Sequence, residues 1–464
     1  MRPHQHLTLL GATCTLLLAG CGSLVPARDP STPPLREDFR VSATPVQATA
    51  VAHEWDGFFA DARLRQVVGV ALAQNRSLRA SAAAVERVRA QYRIAEADRI
   101  PDLNASASAS RQRAAGGVTA SSYSVNLGLA SYEIDLFDRL GSLEGAALAR
   151  YLAQQETQRS AQLSLVAEVS NAWLSLAAEQ QRLALALQLR DSQQRSLSLI
   201  DQRHRLGAAS GLELARARTA FEAARGEATR SLSAVTQARL QLELLAGQPL
   251  PDSLLPAAQD LQALTALPAI PPGLPAEVLL QRPDLRAAEQ QLQAAAFDVG
   301  AARAARFPRL TLTASAGTRS PDLDGLFKTG SGVWSVLPQI DLPLFDGGAR
   351  AAQVEVTQAS RRQALANYEA ALQSAFREVA DALAVRDGLA ERLDAQQAQV
   401  AAAAQTLRLA EESYRLGGSS QLELLDAQRQ FASAQQALVS LRQIEQANRV
   451  TLLRALGGRW APAS

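Results

Sequence analysis

The longest pattern in the chain is helical. From Ala146 to Leu206 no proline or glycine interrupts it, and a run of about sixty residues makes roughly 90 Å of helix. A matching stretch from Ala349 to Leu416 carries one interruption, Gly388. Helices this long exceed what a globular core needs, so they are expected to pack side by side as coiled coils. Further on, Leu424, Ala427, Phe431, Ala434, Leu438 and Leu441 step by 3, 4, 3, 4 and 3 residues, the spacing of a left-handed coiled-coil seam. A plain amphipathic helix with a wider stripe shares that spacing over two turns. An earlier helix is predicted from about Asp56 to Arg99, closed by Pro101, which disfavours helix in the residue before it.

Between these stretches the period changes to two. Leu103, Ala105, Ala107 and Ala109 alternate with Asn104, Ser106, Ser108 and Ser110. After a loop holding Gly116 and Gly117, Tyr123, Val125, Leu127 and Leu129 alternate with Ser124, Asn126, Gly128 and Ala130. Leu310, Leu312, Ala314 and Ala316, then Trp334, Val336, Pro338 and Ile340, repeat the arrangement. The spacing predicts two hairpins, about 102–136 and about 309–343, four strands in all. Four strands cannot close a membrane barrel, so crossing a membrane in this way demands oligomerisation. A soluble half-buried hairpin would show the same alternation, and alanine is a poor lipid-facing residue. The strands alone leave both readings open.

The chain is also written twice. Leu78-Arg79-Ala80 returns as Leu285-Arg286-Ala287, and Arg99-x-Pro101-x-Leu103 as Arg306-x-Pro308-x-Leu310, both 207 positions later. Arg205-Leu206-Gly207 returns as Arg415-Leu416-Gly417, and Leu212-Glu213-Leu214 as Leu422-Glu423-Leu424, offset by 210. So long a period, present only twice, is a tandem duplication rather than a solenoid. It divides the chain into a first repeat over 56–255 with its tip at 205–211, a connector over 256–275, a second repeat over 276–457 with its tip at 415–420, and a tail over 458–464.

Residues 1–20 have the form of an export signal, with Arg2 followed by an apolar run from Leu7 to Leu18 too short to span a bilayer. Leu18-Ala19-Gly20-Cys21 resembles the bacterial lipobox, in which cleavage before the cysteine leaves it to be acylated. The alternative is an ordinary signal peptide with a chance cysteine. Gly22 follows in place of the aspartate that signals inner-membrane retention, so sorting to the outer membrane is expected. Residues 21–55, with Pro26, Pro30, Pro33, Pro34 and Pro45, read as an extended lead from the anchor. The other cysteine, Cys14, lies inside the signal, which leaves the mature chain no internal disulfide. A net charge of +2 gives no global field toward nucleic acid.

No cluster carries catalysis or metal spacing. Beyond the signal only His53 and His204 remain, one in the lead and one near a tip. The chain has no methionine after Met1, so thioether ligands suited to Cu(I) are missing. At the tips, Ser210-x-x-Glu213 and Ser420-x-x-Glu423 match the capping box, which by itself explains both glutamates. Asp426 lies past the cap, and its first-repeat counterpart is Arg216, so the shared fold does not require an acid there. Leu206-Gly207 and Leu416-Gly417 form the turns. Each leucine serves either as the contact of a helix C-cap or as an apolar knob for a partner.

Lipobox, duplication, hairpins and long helices together resemble the TolC/NodT outer membrane factor family. Its most specific phrases here are Ile134-Asp135-Leu136-Phe137, Leu344-Phe345-Asp346-Gly347-Gly348 and Tyr414-Arg415-Leu416-Gly417 with Leu422-Glu423-Leu424-Leu425-Asp426-Ala427-Gln428. The resemblance covers essentially the whole mature chain. It implies a mainly α fold with a small membrane β part: three chains give four strands each to a twelve-stranded barrel, and their helices form a coiled-coil α-barrel across the periplasm. It further implies a passive exit duct of an efflux system, with no cofactor beyond the lipid on Cys21. The expected partners are a periplasmic adaptor, an inner-membrane pump of the resistance-nodulation-division type and outer membrane lipid. Leu422 falls at an apolar constriction, Glu423 and Asp426 at acidic ones, and the adaptor meets tips built on Leu206, Gly207, Leu416 and Gly417. The alternatives are a lipid-anchored periplasmic scaffold without a pore and the exit duct of a type I secretion system.

Overall fold

The computed structural model describes residues 24–27, 55–113, 115–117, 119–257 and 276–458. Cys21, the signal, most of the lead, His53, most of the 256–275 connector and the end of the tail lie outside them. In chain order the main elements are α1 (Ala62–Gln74), α2 (Arg76–Ala97), β1 (Asn104–Arg113), β2 (Thr119–Ile134), α3 (Arg139–Arg205) and α4 (Gly211–Ala246). The second half follows with α5 (Pro283–Ala304), β3 (Arg309–Ser320), β4 (Gly332–Asp341), α6 (Ala349–Arg415) and α7 (Gln421–Ala455). Helices α3 and α6 have 67 residues each, about 100 Å of helix. Both run through glycine: Gly388 lies inside α6, and α3 begins before Ala146 so as to include Gly141 and Gly145.

Local caps explain where the helices start. Asp135 accepts from the Arg139 N–H at 2.7 Å and the Gly141 N–H at 2.9 Å, meeting the free donors of the first turn of α3. Asp346 does the same for α6, accepting from the Gly348 and Arg350 N–H groups at 2.9 and 3.1 Å. A β-carbon on Gly145 would stand 2.8 Å from the Phe297 ring, so glycine lets α3 lie close to α5.

The single helix expected over Asp56–Arg99 is broken twice. A short helical turn over Trp55–Phe58 ends before Asp61, whose side chain accepts from the Arg63 N–H and starts α1. Asn75, with extended backbone, divides α1 from α2. Its amide donates to the Leu245 carbonyl at 2.9 Å while its carbonyl accepts from the Leu78 N–H at 2.9 Å. One buried side chain thus restarts the helix and ties it to α4.

The chain divides into two units, one over 83–156 and 286–371 with residues 24–27, and the other over the remaining described residues. The first unit holds an antiparallel sheet in the order β1-β2-β3-β4. The two predicted hairpins are therefore joined edge to edge. The second unit is built on an apolar cluster that includes Phe58, Phe59, Leu64, Trp173, Leu174 and Leu242. The Trp173 indole donates to the Leu254 carbonyl at 3.2 Å, and the Arg63 guanidinium lies 5.6 Å from its ring centroid. In the same unit Arg282, only 5% exposed, grips the Asp284 carboxylate with two bonds, Glu378 at 3.0 Å and the Ala455 carbonyl at 2.9 Å.

Candidate functional site

Cross-strand pairing decides which side chains share a face, because directly opposed residues point the same way. Ala105, Ala107 and Ala109 pair with Leu127, Val125 and Tyr123. Leu127 and Leu129 pair with Ala316 and Ala314, and these with Trp334 and Val336. Tyr132 and Ile134 pair with Leu312 and Leu310, and these with Pro338 and Ile340. Over these rows one face is apolar across all four strands, and nearer the hairpin loops it carries Arg111, Arg113, Thr318 and Ser320. The opposite face carries Asn104, Ser106, Ser108, Ser124, Asn126, Thr311, Thr313, Ser315, Ser335 and Gln339, with Val333 and Leu337 as exceptions. On that face Ser108 bonds Ser124 at 2.8 Å and Ser315 bonds Ser335 at 2.9 Å.

A bulge preserves this separation. Leu129 and Tyr132 are three apart, an odd spacing that would put them on opposite faces of a regular strand. The register shift between them absorbs one residue, with Ser131 at φ 54 and its N–H donating to Thr313 Oγ1 at 3.1 Å. The polar face is also the crowded one. A β-carbon on Gly128 would stand 2.2 Å from the Ala314 carbonyl oxygen, and one on Gly317 2.1 Å from that of Val125. That is the crowding of a sheet curved toward its polar side. No helix among the described residues is long and apolar enough to cross a membrane.

At the base of the sheet Glu133 binds Arg139 at 2.7 Å and Arg309 at 2.6 Å, joining β2, α3 and β3. Phe137 stacks on Phe307 with ring centroids 4.6 Å apart. The Glu133–Arg309 pairing had no local signal, since Arg309 lies 176 positions from Glu133 in the sequence.

In the second unit the two tips share one construction. Gly207 at φ 76 and Gly417 at φ 79 turn the chain out of α3 and α6. The Ala208 N–H reaches the Arg203 carbonyl at 2.7 Å, and the Gly418 N–H the Ser413 carbonyl at 2.8 Å. Ser210 and Glu213 then form a complete capping box, as do Ser420 and Glu423. The Ser210 N–H hydrogen bond holds the Glu213 carboxyl below its ordinary value. Leu206 and Leu416 do not fold back as C-cap contacts; they are 85% and 79% exposed. His204 binds the Ala209 carbonyl through Nδ1 at 2.8 Å, which fastens the first turn.

Leu422 and Asp426, four apart, share an exposed face of α7, whereas Leu424, Leu425, Ala427 and Gln428 turn inward. Asp426 binds Gln430 at 2.7 Å and Arg429 at 3.5 Å, both on its own helix. Glu423 is occupied by its cap. Two contacts hold the tips together: Arg203 donates to the Tyr414 hydroxyl at 3.3 Å, and Gln193 to Gln428 at 2.8 Å in the interior. Nothing in the local sequence marks Gln193 or Arg203, whose partners lie more than 200 positions away. No group of His, Cys, Asp or Glu among the described residues could hold a metal ion.

The outer membrane efflux protein family model matches residues 67–248 and 274–458. Outer membrane protein OprJ of Pseudomonas aeruginosa is 42% identical over 459 residues, 97% of this chain and 96% of OprJ. The probable outer membrane lipoprotein SilC of Salmonella typhimurium is 34% identical over 460 residues, 98% of this chain and 99% of SilC. The crystal structure of the open state of the Neisseria gonorrhoeae MtrE outer membrane channel is similar with a TM-score of 0.81 and 37% identity, over 92% of this chain and 98% of that one.

Proposed function

The chain belongs to the outer membrane efflux protein family, and on that premise we propose that three copies form the exit duct of a tripartite pump. The protein is an outer membrane efflux channel, a passive duct and not an enzyme. The observation that carries the trimer is the sheet. Most of its apolar residues share one face and most of its polar residues the other, and among the described residues β1 and β4 each leave an edge unpaired. In lipid such edges must close, and three copies of four strands make a twelve-stranded barrel with the apolar face toward the bilayer. The tips at Leu206-Gly207 and Leu416-Gly417 offer their exposed leucines to a periplasmic adaptor, which links the duct to an inner-membrane pump. Purified protein in planar bilayers should conduct ions. A protein that inserts without conducting would overturn the duct.

Leu422, Glu423 and Asp426 form the periplasmic constriction. Three-fold symmetry makes Asp426 a ring of carboxylates, whose repulsion favours cations or a bridging arginine. Asp426→Ala should raise single-channel conductance and weaken cation block from the periplasmic side. Leu422→Ser should widen the opening with little change in ion selectivity. Glu423→Ala should mainly loosen the start of α7, by about 0.5–2 kcal/mol, with a smaller change in conductance. Wild-type conductance in both the Asp426 and Leu422 variants would place the constriction elsewhere.

Cys21 carries the lipid anchor. The lipobox-like phrase supports this, and so does the similarity to SilC, a probable outer membrane lipoprotein. Cys21→Ser should abolish palmitate labelling and leave an unprocessed precursor on gels. A variant that is still cut and labelled would remove the anchor. Channel function should survive in part, because the barrel itself holds the protein in the membrane.

A further inference from the structure

Two apolar side chains just past β4 have no cover among the described residues: Leu344 is 89% exposed and Phe345 92% exposed. Their first-repeat equivalents, by the shared Leu-Phe-Asp phrase, are Leu136 and Phe137. Phe137 is stacked on Phe307. The equivalent of Phe307 at the 207 offset is Ile100, between Arg99 and Pro101, and it is 65% exposed. The joint closed within the chain between the first repeat and the second thus has a matching pair of halves, Phe345 and Ile100, that nothing among the described residues joins.

We propose that Phe345 of each protomer packs against Ile100 of a second copy, closing between chains the joint that Phe137 and Phe307 close within one. Strand direction supplies the geometry. Because β2 and β3 are antiparallel, the end of β2 at Ile134 lies opposite the start of β3 at Leu310, which brings Phe137 and Phe307 together. If β4 pairs antiparallel with β1 of the next copy, the end of β4 at Asp341 lies beside the start of β1 at Asn104. Phe345 follows β4 by four residues and Ile100 precedes β1 by four, so both fall just beyond that seam on the same side. Burying the phenylalanine there also removes from water the most exposed large apolar side chain among those described.

The contact rests on the trimer reading, and the test separates the two. The mature chain has no cysteine beyond Cys21, so introduced thiols can be read against single-cysteine controls. Ile100→Cys/Phe345→Cys, expressed as the full-length protein and treated in outer membranes with a short bifunctional thiol reagent, should give covalent dimers and trimers on denaturing gels. Phe137→Cys/Phe307→Cys calibrates the span and should give only an internally linked monomer of altered mobility. Co-expressed Ile100→Cys and Phe345→Cys chains should link to dimers and no further. A protein that is trimeric by native mass, yet stays monomeric on denaturing gels in the double variant, would overturn the contact and leave the trimer standing. Labelling of Phe345→Cys by a lipid-phase thiol probe in assembled trimers would also overturn it, by placing Phe345 in the bilayer interface. A monomer by native mass would overturn both.

Discussion

Arg282→Ala is expected to destabilise the folded protein by roughly 1–3 kcal/mol, because it leaves the buried Ala455 carbonyl without its donor and removes charge-assisted bonds to Asp284 and Glu378, whose part-exposed carboxylates keep access to water. The guanidinium is 5% exposed and fills four hydrogen bonds, to both oxygens of Asp284, to Glu378 and to the carbonyl of Ala455 near the end of α7. It thereby ties the start of α5 to α6 and α7, elements that no local sequence signal links. Arg282→Lys should recover only part of the loss, since an ammonium cannot reproduce the two-pronged grip on Asp284. The pH dependence gives a second readout. Burial pushes the Asp284 carboxyl up, but the Arg282 hydrogen bond and charge outweigh it and hold the group below its ordinary value. A carboxyl depressed on folding contributes stability that is full above its unfolded value and lost as pH falls through the folded one. Wild-type protein should therefore lose stability on acidification below about pH 4, and Arg282→Ala should lose less over that range. Thermal unfolding in detergent, followed by circular dichroism at neutral and acid pH, checks both. An alanine variant as stable as wild type would mean that water replaces the arginine at no cost.

Leu127→Arg should prevent assembly in the membrane, while Ser106→Arg should leave assembly intact. Leu127 sits on the apolar face between Ala105 and Ala316, whereas Ser106 lies on the polar face opposite Asn126. An arginine in mid-bilayer costs roughly 2–4 kcal/mol per chain, and three chains would bear it together. Ser106→Arg would instead stand in the water-filled interior and move ion selectivity toward anions. The amount of heat-modifiable trimer in the outer membrane fraction reads the first effect and planar-bilayer recording the second. If both variants assembled equally well, the apolar face would not meet lipid.

The two tips show how far local sequence carries. Ser-x-x-Glu gave both capping boxes because a cap is satisfied within four residues and needs nothing from the rest of the chain. The break at Asn75 carried no such mark. Asparagine stops a helix there because the Leu245 carbonyl, 170 positions away, takes its amide. The helix starts differ for a related reason. The similar phrases before α3 and α6 suggest one shared cap, yet the capping acid is Asp135 in the first and Asp346 in the second. Seven residues separate β4 from α6 and four separate β2 from α3, so a different aspartate reaches the free N–H groups.

By itself the sequence determined the periods: long uninterrupted helices, alternating strands, a duplication and two capped turns. Each depends on covalent neighbours or on spacing along one element, which residue order specifies directly. The fold alone decided what those elements meet. The union of the hairpins into one sheet, the bulge at Ser131 that keeps Leu129 and Tyr132 on one face, and the burial of Arg282 against Glu378 and the Ala455 carbonyl all depend on chain segments brought together from afar. Alternation says only that a strand has two faces. Which face is shared by four strands is a property of register, and register exists only once the strands are paired.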